Sequence, residues 1–204
     1  MTKSTRDQLL ETARGLFAER GYYGVSIANI ADELGLTKQA LLYHFPNKDK
    51  LYGEVLHQIS MELDAKKQAA QASSASAEDQ LKALLHALLP DRDDDAVRIR
   101  LLMRELLDNV HRASAVETWY LKPFLMDIID LVKSIGGWSR ASDSDILAFI
   151  YQLLGAVNYY AISEPTLRGI FGRRRFNALK KAFAPQLDAM VDSAIRQPLR
   201  PQTN

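Results

Sequence analysis

The stretch Ser26 to Leu51, SIANIADELGLTKQALLYHFPNKDKL, constrains this chain most, because it reads as two short helices around a glycine turn followed by the start of a third helix. Ser26 is suited to cap a helix whose apolar residues Ile27, Ile30, Ala31 and Leu34 recur at helical spacing. Gly35 supplies the left-handed residue that ends it. After the tight turn Gly35-Leu36, Thr37 caps a second short helix that buries Ala40 and Leu41 and so turns Lys38, Gln39, Tyr43 and His44 outward. This is a helix-turn-helix pattern, whose second helix suits the major groove of DNA.

The exposed set combines donors for bases and for phosphates. Lys38 and Gln39, near the helix start, can reach base edges, and Gln39 pairs best with adenine. Ala40 is small enough to touch a thymine methyl if its side faces the groove rather than the core. Tyr43, His44 and Lys48 are better placed for phosphate, as is Ser26 at the cap of the preceding helix, where backbone amides also favour an anion. The plain alternative is a three-helix bundle whose polar residues only face water.

From about Arg6 to Leu51 the chain resembles the DNA-binding domain of TetR-type transcriptional regulators. Ala13, Leu16-Phe17, Gly21-Tyr22, Val25-Ser26, Ile30-Ala31, Gly35-Leu36-Thr37, Leu41, His44-Phe45, Lys48 and Leu51 fall in that family's order and spacing. The resemblance covers the first quarter of the chain. It implies that Thr37, Lys38, Gln39, Tyr43, His44 and Lys48 contact DNA. One position departs: the family usually has a tyrosine, commonly on backbone phosphate, directly after the leucine of the recognition helix, and here Leu42 stands there, followed by Tyr43. The resemblance further implies an all-α fold, with a helix-turn-helix domain over residues 1–50 and a larger helical ligand-binding and dimerisation domain over 51–204. Such proteins bind a near-palindromic operator in double-stranded DNA as homodimers and enclose a small-molecule pocket. Met103, Leu106, Trp119, Phe124, Tyr151 and Asn158, on helices able to surround a cavity, are the candidates here, with core packing as the alternative for each.

Composition agrees with a cytoplasmic protein. The 204 residues carry a formal charge of only +1, so any nucleic-acid footprint is local. With no cysteine, disulfides and thiolate sites are excluded. Ser4-Thr5-Arg6-Asp7 reads as a helix start rather than a signal-peptide core.

The remainder reads as helices throughout. Asn47 caps a long helix that dissolves into the polar run Gln68 to Ala77, and Ser76 with Asp79 opens the next, which stops near Pro90. The acidic cluster Asp91 to Asp95 favours another helix start. Ser114 with Glu117 caps one more, kinked near Pro123 and ended by Gly136-Gly137, and Ser142 with Asp145 starts the following helix. A break is expected near Pro185.

The run Ile146 to Ser163 carries no charge and is long enough to span a membrane. Acidic flanks at Asp143, Asp145 and Glu164, with Gln152 and Asn158 inside, argue against a span. A helix apolar on nearly all sides is otherwise buried on both faces, which points to a second subunit. The last two long helices, about 143–162 and 176–195, are therefore the expected dimer interface, with Gly155 and Ala156 allowing close approach.

Other chemistry finds little support. Glu54 and His57 have the ExxH spacing of di-iron bundles, but the companion Asp108 to His111 substitutes aspartate and no bridging glutamates match. No phosphate loop or nucleophile elbow appears, so neither catalysis nor a cofactor is expected. Arg173-Arg174-Arg175, with Arg168, Lys180 and Lys181, reads as a solvated helix start or intersubunit charge pairing rather than a DNA contact. The favoured function is a ligand-released repressor; a DNA-bound adaptor recruiting a protein partner is the alternative, and an all-helical metalloenzyme a distant third.

Overall fold

The computed structural model describes residues 3–91, 93–108 and 120–196. The regular elements among them are helical, in keeping with the all-α expectation. They are α1 Thr5–Arg20, α2 Ile27–Glu33, α3 Lys38–His44, α4 Lys48–Ser73, α5 Ala77–Leu88, α6 Asp93–Asp108, α7 Lys122–Lys133, a 3-10 turn at Gly136–Trp138, and α8 Asp143–Arg196. The chain forms two compact units. One holds α1 to α3, α4 as far as Glu62, and α6; the other holds the remainder of α4 with α5, α7 and α8.

In the first unit Ser4 caps α1, its hydroxyl accepting from the amide of Asp7 at 3.2 Å. Leu9, Leu10, Ala13 and Phe17 then face inward at helical spacing and meet Ile30, Leu41, Phe45, Leu51, Val55 and Ile59, all buried. Phe17 packs edge-on against Tyr52 with ring centroids 4.8 Å apart. Across this core Arg6 pairs with Glu54 at 2.8 Å, and Arg14 donates a second hydrogen bond to Glu62 at 3.0 Å besides its ion pair. Helix α6 packs on α1, and Arg104 donates to the carbonyls of Ala18 at 3.1 Å and Glu19 at 2.6 Å. A guanidinium there satisfies carbonyls that the helix end leaves unpaired, at the negative end of its dipole.

In the second unit the core joins Leu81, Leu84, Leu85 and Leu88 of α5, Phe124, Ile128, Leu131 and Val132 of α7, and Ile146, Phe149, Ile150, Leu153 and Val157 of α8. Trp138 stacks on Phe149 at 4.6 Å, and its indole N–H donates to the carbonyl of Ala194 at 3.3 Å. Ser76 and Ser142 cap α5 and α8 as expected, accepting from the amides of Asp79 at 3.0 Å and Asp145 at 3.1 Å.

Three expectations about element boundaries are corrected. Helix α4 does not dissolve at Gln68 but continues to Ser73, because Ala69, Ala70 and Ala72 are strong helix formers and Ala70 is buried. Pro123 does not kink a helix; it stands in the first turn of α7, where its missing N–H costs nothing. Pro185 lies inside helical backbone, and the break in α8 falls instead at Gly172, with φ 73°. Helical backbone therefore extends past Ile162 and Pro165 up to Gly172, and resumes at Arg173. The acidic cluster does open a helix, α6 at Asp93, and within it Asp95 is 3% exposed and paired with Arg98. The expected cap at Ser114 and Glu117 lies outside the described residues.

One stretch of α8 has the length and hydropathy of a membrane span. Its inward side, Ile146, Phe149, Ile150, Leu153, Val157 and Ala161, belongs to the core of the second unit. Its opposite side presents Leu147, Tyr151, Tyr159 and Ile162 to solvent, with Gly155 also exposed among them.

Candidate nucleic-acid interface

The interface is built on backbone caps. Ser26 and Asn29 form a reciprocal capping box: the Ser26 hydroxyl accepts from the Asn29 amide at 3.0 Å, and Asn29 Oδ1 accepts from the Ser26 amide at 3.0 Å. Gly35, at φ 65°, turns the chain, and the Leu36 amide donates back to the carbonyl of Ala31 at 2.9 Å. The hydroxyl of Thr37 accepts from the Ala40 amide at 3.1 Å, which starts α3. Asn47 caps α4 in the same way, its side-chain oxygen accepting from the Lys50 amide at 2.9 Å.

Helix α3 is anchored by Leu41 and by Phe45 just past its end, both buried. That anchoring leaves Lys38 and Gln39 exposed at its start and Tyr43 86% exposed one turn later. His44 is half-buried with its ring 5.3 Å from that of Tyr43. Ala40 is half-buried, so it faces neither wholly into the core nor wholly out. Leu42 is half-buried beside the outward Tyr43, so the phenol available to a phosphate is that of Tyr43.

Lys48 reaches the same surface from α4. Its ammonium lies 4.0 Å from the centre of the Tyr22 ring, and the Tyr22 hydroxyl donates to Asp49 at 2.5 Å. Ser26, Lys38 and Lys48, from three elements, line one open groove with Tyr23 and Asn29. Tyr23 and Asn29 were not singled out by sequence reasoning. The signal for Tyr23 was an aromatic outside any helical apolar face; it is 62% exposed.

Residues 9–55 match the family model of bacterial regulatory proteins, tetR family. Over this segment the chain is similar to tetR-family regulators. Over 53 residues the chain is 40% identical to the transcriptional repressor KstR2 of Mycolicibacterium smegmatis, a match that spans 26% of this chain and 26% of that one. Among solved structures, a transcriptional regulator from Rhodococcus sp. Rha1 superposes with a TM-score of 0.71 at 16% identity, covering 95% of this chain and 97% of the other. A putative regulator from Saccharomonospora viridis, solved in complex with choline, gives 0.67 at 22% identity over 95% and 96%. At these identities the structures establish a shared fold. Of the residues expected to face DNA, the groove brings together Ser26, Lys38 and Lys48.

The six pocket candidates are distributed differently. Met103, half-buried, and Leu106, 50% exposed, lie on α6 in the first unit. Phe124, buried, Asn158, half-buried, and Tyr151, 56% exposed, lie in the second. Trp119 lies outside the described residues. The second unit also holds a small cavity of about 10 Å³, walled wholly by aliphatic side chains including Leu81, Leu85, Ile128 and Leu153. About one water would fill such a space, and without polar partners it is expected to stay dry. Of the ExxH pair, Glu54 is engaged by Arg6 and His57 faces the Tyr120 ring at 6.0 Å.

Proposed function

We propose that this protein is a sequence-specific DNA-binding transcriptional regulator, a cytoplasmic homodimeric repressor released from a near-palindromic operator by a small molecule. The observation that carries the reading is the outward face of α3. A short helix on a tetR-family head presents Lys38, Gln39 and Tyr43 to solvent and has Lys48 and the Ser26 cap beside it. Lys38 and Gln39 are assigned to base edges and Tyr43, His44, Lys48, Thr37 and Ser26 to the backbone, which matches how base and phosphate contacts divide on such helices. Ala40 keeps the thymine-methyl role for the part of its surface that is open.

Repression is supported by the name of a relative similar in this domain, a transcriptional repressor, and release by a small molecule by the choline complex of a protein of the same fold. Dimerisation is supported by the uncovered apolar side of α8 at Leu147, Tyr151 and Tyr159. Phe124 and Asn158 remain candidates to line an effector pocket in the second unit and Met103 in the first; Leu106, Tyr151 and Trp119 complete the proposed set.

Selection of bound fragments from random DNA tests the core of this reading. Enrichment of a near-palindromic motif is expected, with binding that weakens steeply as salt rises because phosphate contacts release counterions. Recovery of fragments with no common motif would overturn it.

A further inference from the structure

Helix α6 turns Asp95, Arg98, Leu101 and Glu105 inward; they are 3%, 2%, 0% and 3% exposed. Charged side chains at this depth persist only when paired. Glu105 accepts the hydroxyl of Tyr52 at 2.5 Å, and Asp95 accepts from Nη1 of Arg98 at 2.5 Å. The other edge of Arg98 is different. Its Nε and Nη2 are sealed from solvent, and neither has a hydrogen-bond partner among the described residues. Buried donors on a charged group incur the full cost of desolvation unless something accepts from them.

Nε–H and Nη2–H are parallel donors on one edge of a rigid plane, the geometry that fits the two oxygens of a carboxylate. We infer that Arg98 anchors an effector site and that the effector carries a carboxylate accepting from both donors. Asp95 fixes the guanidinium plane from the opposite edge and balances its charge. Binding therefore draws on bidentate geometry more than on net attraction, and an amide of the same skeleton, with one acceptor oxygen instead of two, binds less well.

The inference rests on the reading of a ligand-released repressor and adds the class of ligand. It also places the ligand where it can act. Arg98 shares α6 with Arg104, whose guanidinium holds the last carbonyls of α1, and α1 packs against α2 of the reading head. An acid that binds more tightly to one arrangement of α6 than to another shifts the population accordingly.

The test uses the full-length protein labelled with nitrogen-15. Acetate, octanoate and benzoate are titrated against it, alongside acetamide, octanamide and benzamide, while the Arg98 Nε–H resonance is followed. At least one acid is expected to shift that resonance and raise the melting temperature, its amide binding more weakly. Arg98→Lys, which keeps the charge but loses the fork, should bind that acid at least roughly tenfold more weakly. If the lysine variant does not fold, the wild-type resonance alone decides. No shift with any acid, or equal binding of acid and amide, overturns the site. A compound that releases selected DNA equally from wild type and Arg98→Lys overturns the site and keeps the repressor reading. An acid that moves the Arg98 resonance while DNA stays bound keeps the site and overturns release by that ligand.

Discussion

Gln39 and Lys48, at the starts of α3 and α4, answer to different physics. Gln39 is exposed at the start of α3, and its assignment to a base edge rests on a side-chain amide that can pair with a base at two atoms, whereas Lys48 lies at the start of α4 with its charge over the Tyr22 ring. Gln39→Ala should cost about 1–3 kcal/mol at a single operator position and relax preference there. Lys48→Ala should weaken binding to every sequence alike and reduce its salt dependence by about one counterion. Binding measured across single-base operator variants separates the two outcomes; a uniform loss from both would void the division of roles. Gly35 shows a purely backbone demand. A Cβ there would meet nothing within 4 Å, yet φ is +65°, so Gly35→Ala should lower stability by about 1–2 kcal/mol through the left-handed conformation alone. Denaturant unfolding measures it, and an unchanged midpoint would mean that the turn relaxes.

Among elements, the contact of α5 with α8 is tied by charge as well as by leucines. Lys82 pairs with Glu78 at 3.0 Å and with Asp192, and His86 lies 2.8 Å from Asp188. The hydrogen bond from Lys82 holds the Asp192 carboxyl below its ordinary range, and the same bond holds the Lys82 ammonium above its own. A depressed carboxylate contributes stability that is present above its unfolded value near 4 and is lost as pH falls through the folded one. The lysine contribution is complete below its unfolded value near 10.4 and fades only above it. Asp192→Asn should therefore lower the melting temperature at pH 7, with a gap to wild type that begins to narrow below about pH 4 and closes only below the depressed folded value. Parallel melts at pH 7, 5 and 3.5 check this; a gap at pH 3.5 no smaller than the gap at pH 7 would assign the loss to packing rather than charge.

For the molecule as a whole, the decisive question is what covers the outer side of α8. Tyr159 is 72% exposed in the single chain, among Leu147, Tyr151 and Ile162. If a second copy packs there, a carboxylate at Tyr159 would be desolvated without a partner. Tyr159→Glu should convert a dimer to monomers in sedimentation without lowering monomer stability. It is a cleaner probe than Ala156→Glu, because Ala156 is half-buried within its own chain and a charge there would also disturb the core. A dimer that survives the Tyr159 change would remove this face from the interface.

The sequence by itself determined what short-range forces control. Ser26, Gly35 and Thr37 each act on amides or dihedrals within a few residues of themselves, so the caps, the turn and the outward face of α3 could be read directly, and the family pattern followed from the same residues. Helical spacing likewise marked Ile30 and Ala31 as core residues, and both are buried. Tertiary structure decided what depends on which elements meet. Pro185 signals a break, yet helix persists through it while Gly172 interrupts, because packing of Phe176, Leu187 and Val191 on one face outweighs the loss of a single helical hydrogen bond. Leu106 and Tyr151, pocket candidates by type and spacing, are 50% and 56% exposed in the single chain, and the aliphatic cavity arises from three helices distant in sequence. Arg98 looks in sequence like any lysine or arginine on a solvated helix face. Only the covering of α6 buries its guanidinium and leaves one edge without an acceptor, since the cost of burying a donor is set by the neighbours that exclude water and not by the residue itself.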